Sequence, residues 1–222
     1  MIKAVIFDMY ETLITHYDSP LYFTTQMAAD ADIPAETFRE LWVLSETERT
    51  IGKLSFENVI RDILITTDRY SDVLHEKIVA NRIATKQDCF KHLHPEILPM
   101  LDELKQRGIK IGLISNCYSE EAVEIRNSVL YPYFDVCYLS YEQGLKKPDP
   151  EIFKRCMDEL HLTAEECIFV GDGGSQELEA SGSLGMKPLQ AVWYFKEGTL
   201  HRIKPMEGYI HLKTPMDVLH HI

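Results

Sequence analysis

The chain reads as an α/β protein, a Rossmann-like, doubly wound parallel sheet into which an all-helical cap is inserted. Three observations predict this class. Short apolar runs rich in β-branched and aromatic residues recur along the 222 residues, and most stand next to a helical pattern. That alternation is the signature of parallel strands joined by crossover helices. One long stretch, residues 17–91, carries helical patterns and no strand-like run.

The first strand is Lys3-Ala-Val-Ile-Phe-Asp8, an apolar run closed by an acid, as expected of a strand buried on both faces. Similar runs at residues 109–114, 135–139, 167–170 and 189–193 supply further strands. Residues 95–107 form a helix with Ile97, Leu98, Leu101 and Leu104 on one stripe and Gly108 as its stop. Residues 151–160 repeat this, with Ile152, Phe153, Cys156, Met157 and Leu160 behind a proline-rich start. Within 17–91, helices are expected at 35–50, 55–67 and 72–89. The division that follows is a core of residues 1–16 and 92–222 and a cap of residues 17–91. Because the insertion leaves the sheet just after Asp8 and rejoins it before the second strand, it should lie over the strand ends.

Length and composition fit one core domain with an insertion. A net charge of -12 repels phosphate backbones and anionic lipid surfaces, so neither nucleic acid nor membrane is an expected partner. A small anionic substrate is repelled at long range too, and would need local cations or a metal. The five cysteines are scattered without a CxxC pair, which reads as reduced thiols in the cytoplasm. The apolar run 4–7 is too short for a signal or spanning segment.

Ligands of an open parallel sheet bind beyond the carboxyl ends of its strands. The polar residues there are Asp8 through Thr12, Ser115 and Asn116, Lys146 and Lys147, and Gly171-Asp172 through Glu177. Taken singly each has an ordinary explanation: a helix cap for Asp8, turns for Ser115, Asn116 and Asp172, a solvated charge for Lys147, a first-turn helix acid for Glu177. In order, the four segments resemble the haloacid dehalogenase superfamily from Lys3 to about Trp193. Asp8-Met-Tyr10-Glu-Thr12 matches its first motif and Leu113-Ile-Ser115-Asn116 its second. Lys147-Pro-Asp-Pro150 matches the third, and Asp172 with Glu177 five residues on matches the fourth.

The resemblance implies a hydrolase with Asp8 as nucleophile, forming a covalent aspartyl intermediate that water cleaves. Ser115 would hydrogen-bond the transferring group, and Lys147 would screen Asp8 and stabilise developing charge. Thr12 and Asn116 complete the catalytic motifs. Asp8, the Tyr10 backbone carbonyl and Asp172 would hold Mg²⁺, with Glu177 acting through a water.

Phosphatases of this superfamily usually carry a second Asp where this chain has Tyr10, and acid-base help of that kind is typically worth ~10²- to 10⁴-fold. Three readings follow: a Mg²⁺-dependent phosphatase for a small organic phosphate, a metal-independent 2-haloacid dehalogenase, whose branch has Tyr at this position, and a relative that binds a phosphorylated ligand without turnover. Asp172 favours the first, because the dehalogenase branch lacks this metal-binding acid. Phe153 also replaces that branch's active-site Tyr. Under dehalogenation Arg39 could hold a substrate carboxylate. Glu11 could replace the missing acid-base group, although on an extended backbone its side chain should point away from Asp8. Trp42, Arg49 and Lys53 are candidate pocket residues of the cap. The stretch 171–174 lacks the final glycine of a dinucleotide fingerprint, and the dispersed histidines read as surface residues without a metal-site spacing.

Overall fold

The computed structural model describes residues 1–197 and 204–222. In chain order it contains β1 (Ala4–Phe7), then α1 (Thr24–Asp30), α2 (Ala35–Leu44), α3 (Glu46–Thr50), α4 (Phe56–Thr66) and α5 (Asp72–Cys89). There follow α6 (Ile97–Gln106), β2 (Lys110–Ser115), α7 (Ser119–Asn127), β3 (Val136–Leu139), α8 (Ser140–Gln143) and α9 (Pro150–Leu160). The chain closes with β4 (Cys167–Gly171), α10 (Glu177–Ser183), β5 (Lys187–Ala191) and β6 (Ile210–Leu212). The strands form one six-stranded sheet, parallel throughout, in the order β3-β2-β1-β4-β5-β6.

Strand periodicity explains the two covered faces. Val5 and Phe7 pack on one side with residues of α6 and α7, while Ala4 and Ile6 pack on the other with α9 and α10. Winding runs from β1 outward through β2 and β3, then restarts on the opposite side of β1 with β4. The crevice at such a reversal is where ligands of this architecture bind. Asp8 follows β1 at that point, and its backbone N–H donates to the Val170 carbonyl of β4 at 2.9 Å.

Several expectations need correction. The strand placed at 189–193 occupies Lys187–Ala191 instead, because Lys187 and Pro188 join the ladder beside β4 despite lacking an apolar signal. Trp193 leaves the sheet and donates its indole N–H to the Thr12 carbonyl at 2.8 Å. The three-residue edge strand β6 was not anticipated; it is too short to show a period, and Ile210 is half exposed. Neither was α1, whose buried residues are only Met27 and Ala28. The helix expected over 35–50 divides at Ser45, whose hydroxyl donates to the Trp42 carbonyl at 3.1 Å and accepts from Arg49 Nε at 3.0 Å, a local side-chain competitor for helix continuation.

Helices α1 to α5 enclose an apolar cluster of their own, including Met27, Phe38, Phe56, Ile60, Leu64 and Ile78. The insertion meets the sheet layer through buried charge. Arg82 of α5 donates to Glu120 at 3.0 Å and Glu121 at 3.1 Å on α7, and Lys86 pairs with Glu121 at 2.5 Å. Gly52, at φ +76°, lies so close to α8 that a Cβ there would stand 2.0 Å from the Tyr141 carbonyl oxygen. Removing one member of a buried ion network strands the others without counter-charge. Arg82→Met is therefore expected to lower the unfolding free energy by about 3 to 5 kcal/mol in urea denaturation. A loss below about 1 kcal/mol, the range of exposed pairs, would show the network to be effectively hydrated.

All five cysteines are unbridged. Among the described residues no helix is long and apolar enough to cross a membrane.

Candidate active site

The side chains at the strand ends converge on Lys147. Its ammonium, almost wholly buried, donates to Asp8 Oδ1 at 2.5 Å and also to Glu177 Oε2. Burial alone would lower the pKa of this lysine, but the two carboxylates outweigh it and hold it above the ordinary value. Lys147 is placed by Asn116, which makes a two-way clamp on its backbone. Asn116 Nδ2 donates to the Lys147 carbonyl at 3.0 Å, and Lys147 N–H donates to Asn116 Oδ1 at 2.8 Å. Asn116 Nδ2 also reaches Ser175 Oγ at 3.1 Å, joining the segments after β2 and β4.

Glu177 opens α10 and folds its carboxylate back beneath the end of β4. A side chain at Gly171 would put Cβ 2.0 Å from Glu177 Oε1, so the glycine makes the room for this acid. The Gly173 N–H donates to the same oxygen at 3.2 Å. Asp172 is held at its backbone carbonyl by Gln190 Nε2 at 2.7 Å, and its Oδ1 accepts from the Gly174 N–H at 2.8 Å. Backbone strain concentrates nearby: Ser175, Gln176 and Glu11 have φ of 54°, 52° and 59° without being glycine.

Asp8, Asp172 and Glu177 bring carboxylate oxygens within 4.8 Å of one another. Three acids here face one ammonium. Burial and the Asp8 charge raise the Asp172 pKa to about 6, and the same two causes hold Glu177 well above the carboxylate range despite Lys147. A donor set of hard oxygens with excess negative charge fits a divalent cation such as Mg²⁺. Ser115 Oγ at the end of β2 and Thr12 Oγ1 are buried, with no hydrogen-bond partner among the described residues. Buried hydroxyls in that condition are uncommon and mark places where a ligand or water supplies the partner.

Tyr10 and Glu11 take other directions. The Tyr10 ring stacks on His16 with centroids 4.5 Å apart, and its hydroxyl is buried without a partner among the described residues. Burial, then Glu121, raises its pKa well above the tyrosine value, which rules it out as a base at neutral pH. Glu11 does not sit on the extended backbone assumed for it. Its carboxylate accepts from Thr15 Oγ1 at 2.5 Å and from the His16 backbone N–H at 3.0 Å. Burial first, with Asp172 and Asp8 adding, raises it to about 7.

The remaining candidates divide. Arg39 stands on the surface, paired with Glu36 at 2.6 Å one turn away, so its proposed hold on a substrate carboxylate is not supported. Lys53 is exposed. Trp42 packs among Phe38, Phe56, Tyr118 and Arg49. Phe153 is core, edge-on to Phe169. His16 and His75 correct the surface reading of the histidines: His16 is largely buried, and buried His75 bonds the Glu57 carbonyl at 2.8 Å. A cleft of about 410 Å³ separates α3 from the strand-end loops. It is lined by Glu46 and Thr50 on one side and by Asn116, Tyr118, Lys146, Lys147, Pro148, Ser175 and Gln176 on the other. The sequence reading missed Tyr118, Gln190 and the Arg82–Glu120–Glu121–Lys86 network. The paired acids Glu120 and Glu121 following the second motif were the available signal.

An acid after β1, a buried lysine and two further acids after β4 thus make up the candidate site of this fold. A family model for haloacid dehalogenase-like hydrolases matches residues 2–185, and the chain belongs to that family. A glyceraldehyde 3-phosphate phosphatase of Methanocaldococcus jannaschii is 28% identical over 84% of this chain and 83% of its own length. Two solved structures share the fold. A HAD family enzyme from Bacteroides thetaiotaomicron in complex with magnesium and inorganic phosphate has a TM-score of 0.67 at 20% identity, covering 91% of this chain and all of its own. A 2-haloacid dehalogenase from Pseudomonas syringae has a TM-score of 0.71 at 18% identity, covering 99% and 97%.

Proposed function

We propose that this hydrolase cleaves phosphate monoesters of small organic molecules, with Asp8 as nucleophile and Mg²⁺ bound beside it. The observation that carries this reading is the charge imbalance of three clustered carboxylates around one lysine. Halide displacement gives Asp172 and Glu177 no task, whereas phosphoryl transfer does. The phosphatase relative, at 28% identity, supports the same class of substrate.

In this reading an Asp8 oxygen attacks phosphorus, the ester P–O bond breaks, and the ester oxygen takes a proton from solvent to leave as the alcohol. Water then attacks the phosphorus of the aspartyl phosphate, releasing inorganic phosphate and regenerating the carboxylate. Lys147 aims the Asp8 carboxylate through their hydrogen bond, and Asn116 positions Lys147. The unpartnered Ser115 hydroxyl donates to a phosphoryl oxygen. Thr12 also has a buried hydroxyl without a hydrogen-bond partner among the described residues. Asp8, the Tyr10 carbonyl and Asp172 would hold the cation directly and Glu177 through a water; when bound it supplies Lewis-acid neutralisation of phosphoryl oxygens. Residues 17–91 act as the cap domain over the core of 1–16 and 92–222, and substrate binds in the cleft between them.

Phosphate release from a panel of small phosphomonoesters tests this. EDTA should abolish it and Mg²⁺ restore it; undiminished release in EDTA would overturn the metal assignment. Cation affinity should climb as pH rises from about 5 and level off above about 7, because protons compete for Asp172, whose pKa is about 6.

Tyr10 favours a second reading, metal-independent dehalogenation of a 2-halo acid, since halide departs without protonation. Chloride release from 2-chloro acids in EDTA would establish it. If neither phosphate nor chloride is released, the chain is a phospho-ligand-binding relative without turnover.

A further inference from the structure

We propose that the chain leaving β5 sets the loops of the site in place, with Gln190, Trp193 and Tyr194 as positioning residues for Asp172 and for the loop that carries Asp8. This deepens the phosphatase reading of Asp8 and rests on it for its kinetic consequence.

The sheet ladder does not reach these loops. Pairing of β1 with β4 ends at Phe7 and Val170, followed only by the bond from the Asp8 N–H to the Val170 carbonyl. Beyond it the chain turns back on itself. The Leu13 and Ile14 N–H groups both donate to the Met9 carbonyl, at 2.8 and 3.0 Å, around Glu11 with its φ of 59°. The carbonyls of Thr12, Leu13 and Asp172 receive no backbone N–H among the described residues. Thr12 and Leu13 are fully buried, so their carbonyls need donors from the protein.

All three carbonyls are served from residues 190–194. Gln190 Nε2 donates to Asp172 at 2.7 Å, Trp193 Nε1 to Thr12 at 2.8 Å and the Tyr194 hydroxyl to Leu13 at 3.3 Å. Two of these donors are themselves tied down. Gln190 is buried, and its Nε2 also donates to the Lys204 carbonyl at 3.0 Å while its Oε1 accepts from the Met206 N–H at 2.8 Å, which fixes the orientation of the amide. The Tyr194 hydroxyl accepts from the His94 N–H at 3.0 Å. Leu13 lies on the chain leaving the sheet toward α1 and His94 on the chain returning toward α6, so one oxygen joins both connections of the helical insertion. Side chains that only filled space would offer apolar contact; these offer directed donors to the backbone beside the acids. Asp8 and Asp172 follow neighbouring strands, and the offset between the two loops decides whether one cation and one phosphoryl group can meet both carboxylates. A misplacement of about 1 Å at a reacting group costs on the order of 10²-fold in rate.

Three variants of the full chain isolate the donors. Tyr194→Phe removes one oxygen, Gln190→Met removes the amide, and replacement of Trp193 by 3-benzothienylalanine puts sulfur in place of the indole N–H at nearly constant volume. Steady-state phosphate release in Mg²⁺ should show kcat lower by about 10- to 100-fold with KM within about threefold of wild type, because contacts to the bound substrate are untouched. Calorimetry with Mg²⁺ alone should show Gln190→Met binding the cation about 10- to 100-fold more weakly, the range for a group that orients a ligand from behind. Amide hydrogen exchange, read without turnover, should show protection at Leu13 and Ile14 falling by about 5- to 100-fold in the Trp193 and Tyr194 variants, while Val5 and Ile168 inside the strands keep theirs. A kcat within about twofold of wild type in a folded variant, a loss that lies wholly in KM, an unchanged Mg²⁺ affinity in Gln190→Met, or exchange that quickens equally inside the strands would each overturn the proposal. One arm needs no variant: a His94 amide that exchanges at the solvent rate in wild type would overturn it as well. Failure of the phosphatase reading shows separately, as absence of phosphate release or of Mg²⁺ binding in wild type, and the exchange data then still decide whether this segment holds the loops.

Discussion

Asp8→Asn is expected to reduce phosphate release by about 10⁴- to 10⁶-fold, the range seen when a covalent nucleophile is removed from an enzyme that depends on it. The substitution conserves shape, so the strand end and its backbone bond to Val170 should persist. An amide oxygen cannot form the aspartyl phosphate. Lys147 would keep Glu177 as its ionic partner, so the cluster should not collapse. The thermal midpoint should therefore stay within a few degrees of wild type while single-turnover phosphate release disappears. Residual activity above about 1% of wild type, in protein free of contaminating phosphatase, would mean that the nucleophile lies elsewhere.

Lys147→Met should cost both activity and stability. Loss of a preorganised cation beside the transferring group typically lowers kcat by about 10²- to 10³-fold. Leaving buried carboxylates without their ammonium costs about 3 to 5 kcal/mol of stability. The pH dependence has a defined sign. Glu177 already has a folded-state pKa above its unfolded value, and removing Lys147 raises it further. A raised carboxylate pKa favours the fold while the group is protonated, and that contribution disappears as pH rises through the folded value. The deficit of the variant should thus be small near pH 4 and grow toward neutrality, and Mg²⁺ should recover part of it. A deficit independent of pH would point to lost packing of the lysine stem instead. Denaturation curves at several pH values, with and without Mg²⁺, separate the two.

Where the sequence was legible, the signal was local. The run Ala4–Phe7 closed by Asp8 announces a buried strand with an acid at its mouth, and two residue types with opposite transfer energies suffice to read it. Helix α9 announces itself through five buried apolar residues at helical spacing behind Pro150. Helix α5 is legible in extent but not in orientation. A helix is expected over 72–89 and forms at Asp72–Cys89, yet its buried stripe is His75, Ile78, Arg82, Lys86 and Cys89, at helical spacing but of mixed polarity, so apolar periodicity does not tell which face is inside. The acids that make Arg82 and Lys86 tolerable inside are on α7, beyond β2. Edge strand β6 and helix α1 are stabilised by what they pack against and have little pattern of their own.

The candidate site divides in the same way. Asp8, Ser115 and Asp172 are visible in the sequence because each stands at a strand end, and strand ends of a parallel sheet meet on one side, while Lys147 and Glu177 are visible through the motifs they complete. Tyr10 is visible as a chemical departure, but its stacking on His16 and the burial of its hydroxyl are not. Glu11 was misjudged because an extended backbone was assumed where φ is +59°. Arg49 could be named only as one cap residue among several.

The sequence by itself therefore determined the fold class, the family and the order of the strand-end groups, all of which depend on local patterns and on a topology with few alternatives. Tertiary structure alone decided the balance of charge: three acids around Lys147, a paired Arg82, and an Arg49 held between Trp42 and Tyr118 with no carboxylate beside it. Charge balance depends on distances between residues remote in the chain and on how far each is removed from water. Neither quantity is carried by spacing along the polymer.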